Sequence, residues 1–375
     1  MYLAIGLYTL IWLVCSLIVM YQYQMRNSRY AKYIGSDLYT KNKLSIMAVL
    51  VISMLFTFFN VYATRTSMAT GGDRLNYIVN FNGMRASPSI MLTAIMQMIH
   101  YFNGTIESLY YFTTFVCVII TMLAYRWSKD ATPQSFVLLC VTQYFLTTLT
   151  ALKQCYASAL AVLFFVLILE YRSRKTDILA IICIAIAILF HTTGVVLIPL
   201  VIIVKVPTKR LNLVIYAIAL ILIAFFFEPF MKFTGRLVMP LSSGLGNKIL
   251  AYFSEGSELG SDGIAMSFIK GLPYYFITFY GIIKRETLKD RIANYDNYLL
   301  VVGTGAFLYF VSLYNVWLGR FVYLFGFVSF VFFGLLMKEL NLRGNRIIYK
   351  SFVFSCLTVV TYRFLYLIYT LWGGF

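Results

Sequence analysis

Apolar runs of about 20 residues, the length that an α-helix needs to cross a bilayer, recur along the chain between short polar and basic stretches. This pattern predicts an all-α polytopic integral membrane protein with about 12 transmembrane helices, built as a single domain over residues 1–375. The predicted spans are 2–22, 44–62, 106–125, 135–150, 154–170, 178–190, 193–204, 211–228, 267–283, 298–314, 321–337 and 351–371. The first lacks a basic leader and a small-residue cleavage site, so we interpret it as a retained helix.

Two apolar stretches have lengths that a single crossing does not explain. Residues 135–170 would form a helix of about 54 Å, which is too long for one span. They are predicted to fold back, with Lys153 and Gln154 marking the turn. Residues 178–204 would measure about 40 Å, so they form either one tilted span or two short spans that meet near His191.

The distribution of basic residues favours two short spans. With the chain reversing near His191, 21 of the 31 Lys and Arg residues fall in loops on one side, as expected for the cytoplasmic side of a membrane protein. Those loops are 23–43, 126–133, 171–177, 205–210, 284–296 and 338–350. Both termini and the loops 63–105 and 229–266 then lie outside the cytoplasm. The basic residues are scattered over short loops, which argues against nucleic acid as a partner.

Composition supports the membrane assignment and narrows the chemistry. The chain is 61% hydrophobic and only 12% charged, whereas a soluble protein is about a quarter charged. The six cysteines fall in or beside apolar spans without a CxxC pair, so they are predicted to be packing residues. Two histidines without an HExxH or DxD pattern argue against a metal held by the protein. We expect no metal site and no cofactor.

A small set of ionisable residues lies at span ends on the side that is poor in positive charge. They are Arg65, Asp73, Arg74, Lys153, His191 and Arg320, with Lys270 and Arg363 as weaker candidates. Ionisable groups within or beside membrane spans are functional candidates by default. Together they predict an outward-facing cationic pocket with one acid, which would suit a lipid-linked phosphate or pyrophosphate.

The outer loop 63–105 contains the acid and a second feature. Gly71 and Gly72 precede Asp73, and glycines allow a backbone to approach a ligand closely. Asp73 could accept a proton or bind sugar hydroxyls, or could simply pair with Arg74 at the surface. Residues 90–101 are moderately apolar, a pattern that is typical of an interfacial helix.

Each of the other three candidates has a structural and a functional interpretation. Lys153 could extend into the headgroups or contact a phosphate. His191 lies where two short spans meet, and discontinuous membrane helices often mark binding sites; it could donate to a pyrophosphate or move a proton. Arg320 lies between Trp317 and Tyr323, so it could anchor a helix within an aromatic belt or bind phosphate oxygens.

Four stretches with an ordered spacing point to a family. They are Gly72-Asp73-Arg74 with Tyr77, Leu152-Lys153-Gln154-Cys155-Tyr156-Ala157, Phe190-His191-Thr192-Thr193 with Pro199, and Gly319-Arg320-Phe321-Val322-Tyr323. In this order they resemble the motifs of the EpsG/Wzy group of bacterial polysaccharide polymerases. One position departs from the pattern, because Lys153 stands where the family has Arg and so keeps the charge without the bidentate fork.

The resemblance implies a GT-C-like glycosyltransferase that is metal-independent and inverting. Such a polymerase joins undecaprenyl-pyrophosphate-linked repeat units on the outer, periplasmic face of the bacterial inner membrane. Its products are O-antigen, capsule or exopolysaccharide. The expected partners are the lipid-linked repeat units and membrane lipids, together with a chain-length regulator and a flippase.

The positions of these residues and the resemblance together give the expected roles. The expected catalytic residues are Asp73, His191 and Arg320, and the expected substrate-binding residues are Arg65, Arg74, Tyr77, Lys153, Gln154, Thr192 and Tyr323. Cations at the membrane lip would stabilise a pyrophosphate leaving group, and Asp73 or His191 would take the proton of the acceptor hydroxyl.

Three other functions share parts of this pattern. A lipid-linked oligosaccharide flippase would also have a cationic cavity, but the internal repeats that are common in transporters are not evident here. A membrane O-acyltransferase could use a histidine with arginines, although no acyltransferase motif is present. An O-antigen ligase would use the same donor and differ in its acceptor.

Overall fold

The computed structural model describes most of the helical bundle. The described residues are 2–31, 44–66, 73–83, 89–141, 151–171, 173–205, 232–237, 239–240, 263–312 and 320–340, with single positions at 215, 218, 222, 226, 229, 247, 250, 347 and 350. Within this part of the chain, every regular element is a helix.

Twelve α-helices have defined bounds in these ranges, and residues 232–237 are helical as well. They are α1 (Tyr2–Ala31), α2 (Ile46–Thr66), α3 (Asp73–Phe81), α4 (Ile90–Tyr101), α5 (Ile106–Trp127), α6 (Pro133–Val141), α7 (Leu152–Val166), α8 (Arg174–Phe190), α9 (Leu197–Ile203), α10 (Gly263–Leu288), α11 (Tyr295–Val311) and α12 (Gly326–Leu340). A π-helical turn, Leu167–Tyr171, extends α7, and 3₁₀ turns at Thr192–Val196 and Tyr323–Phe325 precede α9 and α12.

Three of the described helical segments are long and apolar enough to cross a membrane. They are Ile106–Trp127, Leu152–Tyr171 and Arg320–Leu340, in agreement with the predicted spans 106–125, 154–170 and 321–337. The predicted span 351–371 lies outside the described residues, as does most of 211–228 and of the loop 229–266. The total of about 12 spans and the GT-C-like architecture therefore stay predictions.

Helix α7 forms the centre of the bundle. Its side chains are buried along almost the whole length, with α5 and α8 packed against it and α5 contacting α2 on its other side. Helices α10, α11 and α12 pack against one another, and α12 also contacts α6. Because Lys153 is the second residue of α7, one candidate site residue is attached directly to the central helix of the fold.

The predicted fold-back before Lys153 is confirmed. Ser128, which follows α5, donates through Oγ to Glu170 Oε1 at 2.6 Å, and Lys129 Nζ donates to the Glu170 carbonyl at 2.9 Å. The end of α7 therefore returns to the place where α5 ends and α6 begins. We call this end of the bundle the Glu170 end. The start of α7 lies at the opposite end, which we call the His191 end.

The predicted break at His191 is also confirmed. Helix α8 begins at the Glu170 end and stops at Phe190, and the chain then runs back through the 3₁₀ turn and α9. Lys205, just after α9, forms an ion pair of 2.7 Å with Asp177 in the first turn of α8. The two segments are thus antiparallel, and His191 lies at the turn between them.

The basic loops meet at the Glu170 end, as the charge pattern predicted. Tyr298, near the start of α11, donates to Asp130 Oδ2 at 2.8 Å. Arg285, near the end of α10, donates to Asp296 through Nε and Nη2, each at 2.8 Å. Asn297 donates to the carbonyl of Val204 at 3.2 Å. Four connections between helices therefore share one end of the bundle.

The hairpin at His191 depends on a residue without a side chain. A Cβ atom at Gly194 would lie 2.8 Å from the backbone nitrogen of Ile188 and 2.9 Å from the carbonyl carbon of Ala187. Both atoms belong to the backbone of α8 and cannot rotate away. Only glycine lets the returning chain lie this close to α8.

We therefore expect Gly194→Ala to lower the free energy of unfolding by about 1–3 kcal/mol, since it forces two packed backbones apart. Thermal unfolding of the purified protein in detergent measures the change. Gly303→Ala is the matched control, because the nearest atom to a Cβ there is Thr278 Cγ2 at 3.7 Å, an ordinary contact. Equal melting temperatures for the two variants would contradict the close approach.

Candidate functional site

Three of the four motif stretches share a structural feature that the sequence did not show directly. Each contains the start of a helical segment: Asp73 begins α3, Leu152 begins α7, and Thr192 begins the 3₁₀ turn before α9. Arg320, in the fourth stretch, is helical and lies before α12. The first turn of a helix presents backbone N–H groups without helical partners and carries a partial positive charge. Such helix starts are suited to binding anions.

Three cationic or titratable motif residues converge at the His191 end. Gln154 Nε2 donates to the backbone carbonyl of Arg320 at 2.5 Å, across a sequence separation of 166 residues. Lys153 Nζ lies 5.8 Å from the centroid of the Tyr77 ring. Lys153 and Arg320 are both close enough to His191 for their positive charges to affect its pKa. Tyr77, Lys153, Gln154, His191 and Arg320 thus form one cluster, the motif cluster.

An aromatic pair beneath the motif cluster holds two of its members in place. The rings of Tyr156 on α7 and Phe190 on α8 are stacked with centroids 4.1 Å apart and planes at 10°. Tyr156 also donates to Thr113 Oγ1 on α5 at 3.3 Å. Because Tyr156 lies one helical turn after Lys153 and Phe190 directly precedes His191, this contact fixes the start of α7 against the end of α8.

Hydrogen bonds define the tautomer of His191. Its Nδ1 lies 3.3 Å from the backbone nitrogen and 2.9 Å from the hydroxyl of Thr193. A backbone N–H can only donate, so Nδ1 is an acceptor and the ring proton resides on Nε2. Nε2–H is therefore the donor that His191 can offer to a ligand.

The charge state of His191 follows from its surroundings. His191 lies in the break between α8 and the 3₁₀ turn, outside both helices. Burial, together with the smaller effect of the positive charges of Lys153 and Arg320, lowers the pKa of His191 to about 4. The imidazole is neutral at pH 7, so it acts there as a hydrogen-bond donor without adding a third positive charge.

The remaining predicted site residues are located as follows. Thr192 is exposed beside His191, and Tyr323 is half-buried about one turn after Arg320. Asp73 and Arg74 are the first two residues of α3 and Arg65 is in the last turn of α2, but their side chains are outside the described residues, as is that of Lys270 in α10. Arg363 lies wholly outside the described ranges.

Gln154, expected to bind substrate, is buried and contacts the Arg320 backbone.

Sequence reasoning missed several residues that shape this end. The motifs include Tyr156 and Phe190, and the positions of these residues next to Lys153 and His191 indicate a supporting role. Thr193, two residues after His191, was not assigned the hydrogen bond that selects the tautomer. Ser89 and His100, which join α4 to other helices, carried no recognisable signal.

Most of the predicted loop 63–105 forms two short helices, α3 and α4, which lie beside the motif cluster. The expected helix over 90–101 is present as α4, which begins after Ser89, whose hydroxyl accepts a hydrogen bond from the Leu92 backbone. Helix α3 was not predicted. These helices form a small apolar cluster of their own with the starts of α5 and α7: Tyr77, Phe81, Leu92, Met96, Ile99, Leu109, Tyr110 and Leu152.

The bundle and the motif cluster together define a helical membrane protein with a positively charged site at one end of its helices. Comparison with known families agrees with this class. The EpsG family profile matches residues 64–372, which include all four motif stretches, and the chain belongs to the EpsG family. Searches of curated proteins and of solved structures returned no match.

The charge state of His191 leads to a pH-dependent prediction. The pKa of His191 is lowered without a ligand, and a bound pyrophosphate would offset the neighbouring cations and raise it again. Binding then takes up a proton, so affinity increases as the pH falls. We expect the ratio of the pyrophosphate dissociation constants of His191→Gln and wild type to grow about threefold to tenfold between pH 7.5 and pH 5.5.

Isothermal titration calorimetry of inorganic pyrophosphate with the purified protein measures this ratio. The protonation of pyrophosphate itself affects both proteins equally and cancels. A ratio that is constant over this pH range would show that His191 does not gain a proton when the anion binds.

Proposed function

We propose that this EpsG family protein is a polysaccharide polymerase that joins undecaprenyl-pyrophosphate-linked repeat units and builds O-antigen, capsule or exopolysaccharide. Membership of the EpsG family indicates a polymerase-type protein of polysaccharide biosynthesis. The observation that supports the specific proposal is the motif cluster, in which two cations, a neutral histidine donor and several helix starts share one end of the bundle.

The pyrophosphate of the lipid donor is the ligand that this arrangement suits best. Arg320 supplies a planar guanidinium and Lys153 an ammonium group, while Nε2–H of His191 adds a neutral donor. When the sugar leaves, negative charge develops on the pyrophosphate, and positive groups already in place stabilise it without further reorganisation. In this role the three residues hold the donor and lower the barrier to its cleavage.

The proposed reaction is one displacement. The oxygen of the acceptor hydroxyl attacks the anomeric carbon of the donor sugar. The bond between that carbon and the pyrophosphate oxygen breaks, and its electron pair leaves with undecaprenyl pyrophosphate. The hydroxyl proton passes to a base. A single displacement inverts the anomeric centre, in accord with the inverting chemistry that the resemblance implies.

Asp73 is the proposed base. It begins α3 and lies one turn before Tyr77, whose ring is near Lys153. Residues four apart lie on the same side of a helix, so Asp73 belongs to the side of α3 that approaches the motif cluster. His191 is less suited to this role, because its Nδ1 accepts from Thr193 and its Nε2 already carries a proton.

The proposed membrane orientation follows from the charge pattern. The Glu170 end contains four of the six basic loops of the charge pattern, so by the positive-inside rule it faces the cytoplasm. The His191 end then faces the outer, periplasmic side of the bacterial inner membrane. Lipid-linked repeat units would be used on that side, with a flippase delivering them and a chain-length regulator as a further partner.

The first test concerns the cations. Arg320→Ala should reduce the polymerisation rate about 30- to 1,000-fold, since it removes one charge-assisted contact worth about 2–4 kcal/mol at the transition state. Lys153→Arg should retain activity, because it restores the residue type of the family pattern. The assay is polymerisation of lipid-linked repeat units by the purified protein.

Lys175→Ala is the matched control for lost charge, because Lys175 is exposed at the Glu170 end. Long polymer from Arg320→Ala at the wild-type rate would make Arg320 a helix anchor only. Transfer to a lipid A core acceptor in place of repeat units would instead identify a ligase.

The second test separates the base from the donor-binding histidine. Asp73→Asn should retain affinity for the lipid donor and lose turnover by at least about 100-fold, because the amide is nearly isosteric but cannot take the proton. His191→Gln should instead weaken donor binding. Donor affinity and single-turnover rates of the two variants distinguish the roles. Full turnover by Asp73→Asn, or unchanged donor affinity in His191→Gln, would reverse the assignment.

A further inference from the structure

The second histidine of the chain, His100, caps the helix that begins with Asp73. Its Nε2 lies 2.6 Å from the backbone carbonyl of Phe81, the last residue of α3. A carbonyl oxygen only accepts, so His100 donates this hydrogen bond. The last four carbonyls of a helix have no partner within it, and His100 satisfies one of them. Its ring also stacks on the Phe81 ring, with centroids 4.0 Å apart.

The other end of α4 is joined to the segment that carries His191. The hydroxyl of Ser89, directly before α4, donates to the carbonyl of Leu189 at 3.2 Å. Leu189 is in the last turn of α8, two residues before His191. Helix α4 therefore acts as a brace: its start is attached to α8 beside His191, and its end holds the end of α3.

Because α3 is a helix, holding its end in place also fixes the residues of α3 that lie toward the motif cluster. Asp73, Tyr77 and Phe81 are spaced four residues apart and so lie along one side of the helix. Phe81 is held by His100, and the Tyr77 ring lies near Lys153. Asp73 is two turns from Phe81, about 12 Å along the axis. Any rotation of α3 about its axis would move Tyr77 and Asp73 together.

We propose that His100 is a positioning residue for glycosyl transfer, because its bond to the Phe81 carbonyl sets the rotation of α3 and thereby the places of Tyr77 and Asp73. This inference rests on the proposed function, in which Asp73 takes the acceptor proton. His100 acts through α3 and contacts neither the donor nor the acceptor.

Two substitutions separate the hydrogen bond from ring packing. His100→Phe retains a ring that can stack on Phe81 but removes the donor. His100→Gln retains an amide nitrogen that can reach the carbonyl and should rescue the function. Gln97→Ala is the matched control, because Gln97 is exposed on the same helix.

The first readout is structural and independent of activity. Spin labels at Leu75→Cys on α3 and Val195→Cys after His191, two positions whose side chains are 51% and 49% exposed, report the position of α3 in the full-length protein with its native cysteines replaced. We expect one narrow distance distribution for the parent protein, His100→Gln and Gln97→Ala. We expect a broadened or shifted distribution for His100→Phe.

The second readout is the split between kcat and KM for the lipid donor, measured without spin labels. His100→Phe should lose about tenfold to 100-fold in kcat, because displacement of a catalytic group by about 1 Å costs up to this factor. Its KM for the donor should change by less than about twofold, since Lys153, His191 and Arg320 are attached to other helices. His100→Gln should recover most of the kcat.

Either readout can overturn the proposal. An unchanged distance distribution in His100→Phe would show that the hydrogen bond does not set the position of α3. A changed distribution with normal kcat would show that this position is unimportant for transfer. Loss of kcat in His100→Phe that His100→Gln does not restore would show that a donor to the Phe81 carbonyl is not sufficient, which contradicts the proposal. Wild-type protein that fails to polymerise would refute the proposed function instead, while the distance measurement would still decide whether His100 fixes α3.

Discussion

Positive charge accumulates at the His191 end, and the rest of the structure must accommodate the resulting repulsion. Lys153 and Arg320 both lie close enough to His191 to lower its pKa. Lys153 and His191 also lie at helix starts, whose partial charges have the same sign. His191 remains neutral in this environment, which limits the repulsion and preserves a donor nitrogen. The stacked rings of Tyr156 and Phe190 beneath the cluster prevent the helices from separating. Positive charges held this close to one another repel unless an anion offsets them.

The Glu170 end provides the rigidity that such a site requires. The hydroxyl of Tyr298 lies 2.8 Å from Asp130 and 3.3 Å from Glu170, and Ser128 donates to the same Glu170 carboxylate. These contacts join α11 to the ends of α5 and α7. Helices that are fixed at one end can hold their opposite ends at defined separations despite the repulsion there. Buried polar networks of this kind specify one arrangement of helices when their members are satisfied.

The short helices α3 and α4 show where local sequence information was sufficient and where it was not. The apolar stretch 90–101 predicted α4, because its pattern is strong enough to be recognised without context. Helix α3 has only nine residues, and helices of this length are not stable alone. Its stability comes from Tyr77 and Phe81, which pack against α4 and the start of α7. This contribution can be seen only in the folded protein.

The sequence by itself determined the membrane class, several span boundaries, the fold-back within 135–170, the reversal at His191, and the grouping of basic loops at one end of the bundle. These properties follow from matching apolar length to a bilayer and from the cost of moving positive charge across it, which depend on residues close together in the chain. Only the tertiary structure decided which groups meet. The contact between Gln154 and Arg320 spans 166 residues, and the neutral state of His191 and the brace of His100 depend on similar long-range packing that no local pattern encodes.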